Sequence, residues 1–105
     1  MSEHTETLEA LEGYVVDIAC LRKYPRAEWD ARARVHTRQC ALMGHCVESG
    51  YGLVSDGTVA LLDHAATPFV VDALHQSTQN AGIRLRVTRR WTDSEMRTES
   101  AHVVE

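Results

Sequence analysis

The sequence predicts a mainly β domain with two helices, in the order β-α-β-β-α-β-β. Three observations carry this reading. β-branched residues crowd the stretch "GYVVDIAC", Gly13 to Cys20. The dipeptide Asp56-Gly57 stands between two apolar runs, which is a tight-hairpin signal. "IRLRVTRRW" alternates apolar and polar residues at period two, as a half-buried strand does.

The elements follow in order. Residues 1 to 11 are polar and acidic and read as a flexible N-terminal tail, leaving 12–105 as a single domain. In the first strand Tyr14, Val16, Ile18 and Cys20 fall on one face, and Val15, Asp17 and Ala19 on the other. Pro25 suits the first turn of a helix, and no Gly or Pro interrupts the chain from Arg26 to Met43. Trp29, Ala33, His36, Cys40 and Met43 step by four and three, an amphipathic stripe, and Gly44 reads as its stop. "YGLVSDGTVALLD" reads as a hairpin. "ATPFVVDALHQSTQNAG" reads as a second helix, capped by Thr67, started by Pro68 and ended by Asn80 to Gly82. Ile83, Leu85 and Val87, then Arg89, oppose Arg84, Arg86 and Thr88, and "MRTESAHVV" reads as the last strand. Five short strands with mostly antiparallel neighbours match a small OB-like barrel. The second helix takes the place of that barrel's main helix, and the first is an insertion. An α+β two-layer sandwich is the alternative.

A chain of 105 residues suits one domain. Its net charge of −4 argues against a dedicated nucleic-acid binder, which carries a basic excess. No apolar run approaches the roughly 20 residues of a membrane span. "MSEHTETLEALEG" has no basic and apolar regions of a signal peptide, so a cytoplasmic protein is expected. Prior removal of an export signal would reverse that expectation. Three Cys permit at most one intramolecular disulfide, and the cytosol disfavours even that.

The pattern G-x-V-x-D-x-x-C, then C-A-x-x and a further C, then a G-Y-G turn and a closing Asp falls on particular residues. They are Gly13, Val15, Asp17, Cys20, Cys40, Ala41, Cys46, Gly50, Tyr51, Gly52 and Asp63. It is similar to a group of small bacterial OB-fold-like domains, over roughly residues 12 to 104. The resemblance implies an OB-like β-barrel and no particular reaction.

The stretch "RARVHTRQCALMGHC" carries the candidate chemistry. His36 and Cys40, four apart on one helix, point the same way. Cys20 joins them if that helix packs on the first strand. Two thiolates and an imidazole suit Zn²⁺ or Cu⁺, with Cys46 or His45 as a fourth metal ligand. Asp17, on the opposite strand face from Cys20, reads as structural. The alternatives are a Cys20–Cys40 or Cys40–Cys46 disulfide, or unlinked core thiols in a metal-free accessory domain with a protein partner. A thiolate–imidazolium enzyme built on His36 and Cys40 lacks an oxyanion motif and any orienting acid beyond Asp17, so binding is favoured over catalysis. Arg84, Arg86, Arg89 and Arg90 offer a single-stranded nucleic-acid face. Only Trp91 lies nearby to stack bases, so a solvated, ion-paired strand is the favoured reading. His4, His64, His75 and His102 read as surface residues, Trp29 as core.

Overall fold

The computed structural model describes residues 7–104; Glu105 and the first six residues of the expected tail, His4 among them, lie outside the described residues. The domain is α+β, with one five-stranded antiparallel sheet and short helices. The strands are β1 (Thr7–Asp17), β2 (Tyr51–Ser55), β3 (Thr58–Leu61), β4 (Arg84–Trp91) and β5 (Met96–Val104). The helices are α1 (Ile18–Leu21), α2 (Trp29–Val35), α3 (Arg38–Ala41), α4 (Gly44–Ser49) and α5 (Ala66–Gln76), with a 3₁₀ turn at Arg26–Glu28. Thr7 to Leu11, expected in the tail, are strand and pair with Trp91 to Val87 of β4.

The sheet order is β3-β2-β1-β4-β5. β1 is central and long enough to pair with β2 through its second half and with β4 through most of its length. Asp56 and Gly57 both take positive φ, 49° and 79°, which is the backbone a two-residue hairpin between right-twisted strands requires. The expected barrel is not closed by a backbone ladder among the described residues, because β3 and β5 are the two sheet edges. Side chains span the gap instead. Arg89 Nη1 donates to the Leu61 carbonyl at 3.2 Å, and Thr98 donates through its hydroxyl to Asp63.

Both faces of β1 are covered, so Val15 and Val16 are both buried. Val15 belongs to the main core with Leu53, Leu85, Val87 and the α5 residues Val70 and Leu74. Val16 belongs to a smaller core with Leu21, Ala33 and Val54, under α2. Each fully buried Leu or Val contributes roughly 1.5–3 kcal/mol relative to exposure. Alternation along β4 is as the sequence predicts: Leu85, Val87 and Arg89 point in, while Arg84 and Arg86 point out. Outward Arg84 and Arg86 share Glu12 across the ladder, and Arg90 pairs with Glu99 at 2.6 Å. The basic strand is thus an ion-paired surface. No helix among the described residues is long and apolar enough to cross a membrane.

Candidate metal centre

β1 stops at Asp17, three residues before the expected end of the strand. Asp17 turns the chain into α1 by capping it: its backbone is extended, and its Oδ2 accepts from the Cys20 backbone N–H at 2.8 Å. An acid three residues before the bonded amide is helix N-cap spacing. Cys20 therefore lies on a helical turn rather than on the strand face of Tyr14 and Val16. Asp17 and Cys20 belong to the same side of the site rather than to opposite faces. Trp29 stabilises the far end of this turn, its indole Nε1 donating to the carbonyls of Leu21 and Tyr24.

The single helix expected from Pro25 to Gly44 is broken. α2 ends at Val35, His36 and Thr37 are extended, and α3 begins at Arg38. Two causes act together. Thr37 competes for the backbone, its Oγ1 accepting from the Cys40 N–H at 3.1 Å as the cap of α3. The extended pair also bonds to a distant segment. Gly82 N–H donates to the His36 carbonyl at 3.0 Å, Arg38 N–H donates to the Asn80 carbonyl at 2.8 Å, and Thr37 bridges Ala81. Gly82 is at φ 61°, and a Cβ there would sit 2.5 Å from the Arg34 carbonyl oxygen, so only glycine permits this approach. Further along, Gly44 opens α4 instead of stopping a helix, and Met43 is exposed rather than on an inward stripe.

Asp17 is the pivot of the site. Its carboxylate is fully buried and accepts three bonds: from Cys20 N–H, from the Cys46 thiol, and from His36 Nε2 at 2.8 Å. An ionised carboxylate only accepts, so His36 Nε2 carries the proton between them. Burial pushes the Asp17 carboxyl up, but His36, the Cys20 amide and the Cys46 thiol outweigh it and hold it below the usual range. Cys46 moves the other way. Burial, then its bond to Asp17, push its thiol up to about 12. Burial and the nearby Asp17 charge also raise the Cys20 thiol. Tyr51, raised to about 12 mainly by burial, donates to the Ala41 carbonyl at 2.6 Å and so fixes the end of α3. Ser49 ties α4 to α1, accepting from Ala19 N–H at 3.0 Å and donating to the Cys46 carbonyl at 2.7 Å.

Two groups of possible metal-ligand atoms result, each within 4.8 Å of one another: Asp17 with Cys20 and His36, and Asp17 with Cys40 and Cys46. Four of the five residues singled out in the sequence are thus brought round one carboxylate. His45 is not in either group; it is exposed on α4. All three cysteines are free thiols. Cys20, His36 and Cys40 line a surface cleft of about 220 Å³, whereas Asp17 and Cys46 are sealed beneath it. Asp17 is the residue whose place in the site the alternation of the first strand concealed. Its signal was the D-x-x-C spacing, which reads equally as a helix cap. Set against protein-family models, curated proteins and solved structures, the chain matches none.

Proposed function

We propose that the domain binds a thiophilic transition metal, Zn²⁺ or Cu⁺, through Cys20, His36, Cys40 and Cys46, with Asp17 positioning His36. One observation carries the reading: both groups of donor atoms converge on the buried carboxylate of Asp17. A carboxylate removed from water with no Lys or Arg bonded to it calls for a compensating cation or a dense set of donors. Three sulfurs and an imidazole form a donor set that suits Zn²⁺ and Cu⁺. A ligating His whose other nitrogen donates to an acid is oriented and made more basic by it, which is the part Asp17 takes here. The role is binding rather than turnover, since the raised Cys20 and Cys46 thiols are poor nucleophiles in the metal-free protein. The scaffold is read as an OB-like barrel opened at the β3–β5 seam, in keeping with its strand order and with α5 between β3 and β4.

A second reading, a metal-free accessory domain that meets a protein partner, is favoured by one fact. Every buried side-chain polar atom among the described residues already has a hydrogen-bond partner. Native mass spectrometry and elemental analysis of freshly purified, reduced protein separate the two. The metal reading expects one equivalent of zinc or copper and a melting temperature that rises on adding it. Absence of stoichiometric metal, with no thermal shift on adding either ion, would leave the accessory reading.

A further inference from the structure

We propose that Cys40 and Cys46 form an oxidative modification site: a hydroperoxide entering the cleft converts this pair, and not Cys20, to a disulfide. The pair needs no bound metal to react, so the site goes beyond the metal reading above; its disulfide dismantles that centre. Geometry selects the partners. Asp17, Cys40 and Cys46 keep their ligand atoms within 4.8 Å of one another, so the two sulfurs close to a bond of about 2 Å by small shifts. Cys20 is grouped with Asp17 and His36 and with neither of the other thiols. Access differs within the pair. Cys40 is half-exposed and lines the 220 Å³ cleft, whereas Cys46 is 3 % exposed and sealed beneath it.

Both cysteines are anchored, and the link between them has room to move. Tyr51 fixes the end of α3 by donating to the Ala41 carbonyl at 2.6 Å, and Ser49 fixes α4 by donating to the Cys46 carbonyl at 2.7 Å. Between these anchors Met43 is 48 % exposed, and nothing stands within 4 Å of a Cβ placed on Gly44. The link therefore yields without a clash as the sulfurs approach. Access sets the order of events. The Cys40 sulfur attacks one oxygen of the hydroperoxide. The S–O bond forms, the O–O bond breaks, and the other oxygen leaves as water or an alcohol with the thiol proton. Cys40 is then a sulfenic acid. The Cys46 sulfur attacks the Cys40 sulfur next: the S–S bond forms, the S–O bond breaks, and the hydroxyl leaves as water with the Cys46 proton. Two thiols have lost two electrons, and one hydroperoxide has gained them. The disulfide takes away two of the four proposed metal donors and leaves Cys20 and His36, short of the four ligands of a closed zinc site.

The test treats the reduced, zinc-free chain with equimolar hydrogen peroxide, alkylates the remaining thiols in denaturant and weighs the tryptic peptides. No Lys or Arg falls between Arg38 and Arg84, so Cys40 and Cys46 stay together in peptide 39–84, and Cys20 lies apart in 1–22. Peptide 39–84 is expected to lose two hydrogens and to resist alkylation until dithiothreitol is added, with Cys20 in no disulfide. Cys46→Ser should stop at a sulfenic acid on Cys40 that dimedone labels. Cys40→Ser should leave Cys46 unoxidised, because the cleft does not reach it. No disulfide in the folded chain, a disulfide that includes Cys20, or Cys46 oxidised as fast in Cys40→Ser as in the wild type overturns the proposal. On the zinc-loaded chain, the disulfide should form with loss of the zinc to a chromophoric chelator; zinc that stays bound to the oxidised chain overturns that consequence. A disulfide in a chain that never binds zinc sinks the metal reading alone. Stoichiometric zinc in a chain whose zinc-free form yields no Cys40–Cys46 disulfide sinks this proposal alone.

Discussion

β1 carries a carboxylate near each end, and the two are held in opposite ways. Glu9 stands opposite Arg89 in the ladder, half-buried, and is bonded by the Trp91 indole N–H at 2.8 Å and by the Arg89 guanidinium, also at 2.8 Å. These hold its carboxyl below the usual range. Asp17 is sealed from water and reaches the same direction of shift with an imidazole, an amide and a thiol. A half-buried acid with a guanidinium partner directly across the ladder is ordinary strand pairing. A buried acid surrounded by soft donors is a site that a metal can complete. The contrast separates structural charge from candidate chemistry along one strand.

The largest expected break of this contrast is Asp17→Ala. It removes the α1 cap and leaves His36 and Cys46 without their acceptor, at a cost of about 3 kcal/mol by denaturant titration. Asp17→Asn, which keeps a capping oxygen, should cost less. Next, zinc at a hundredfold excess over its dissociation constant should add about 2.7 kcal/mol to the wild-type chain. It should add little to Cys46→Ser, as read by thermal melts. Gly82→Ala forces a Cβ against the Arg34 carbonyl in a left-handed backbone, at about 1–2 kcal/mol. In NMR spectra it should move the His36 ring resonances and leave the Trp91 indole in place, showing that only one end of β1 depends on this contact.

The smallest effect belongs to Glu9. Its folded carboxyl lies below its unfolded value, so its contribution is present above the unfolded range near 4.5 and is lost as pH falls through the lower, folded value. Glu9→Gln should make stability less dependent on pH across that acid window and change little near neutrality. Glu9 is itself partly exposed and so partly screened by salt, and the difference should shrink at high ionic strength.

Much of the sheet was legible. Asp56-Gly57 announced the hairpin through its turn chemistry, and β4 through an alternation that placed even Arg89 inward. The donors were legible as residue types. Their arrangement was not, because it depends on distant contacts. The stripe from Trp29 to Met43 satisfied helical spacing, but the segment at Asn80 to Gly82 bonds His36 and Arg38 and stops the helix there. Propensity yields to such tertiary bonds. Asp17 was hidden for a local reason: an alternating strand pattern runs without a mark into a capped turn, and the pattern alone does not show where the strand ends.

The single rung between Thr37 and Ala81 has a kinetic consequence. All the proposed donors come from within residues 20 to 46, so a local loop appears enough to gather them. The backbone of His36 is nevertheless fixed by residues more than forty positions later in the chain. Closing that loop costs more chain entropy than closing the local one. A nascent chain thus presents its thiols and imidazole before the frame that orients them exists, and metal captured at that stage would meet a different, looser set of ligands. The centre takes its final shape only when the segment leading into β4 arrives.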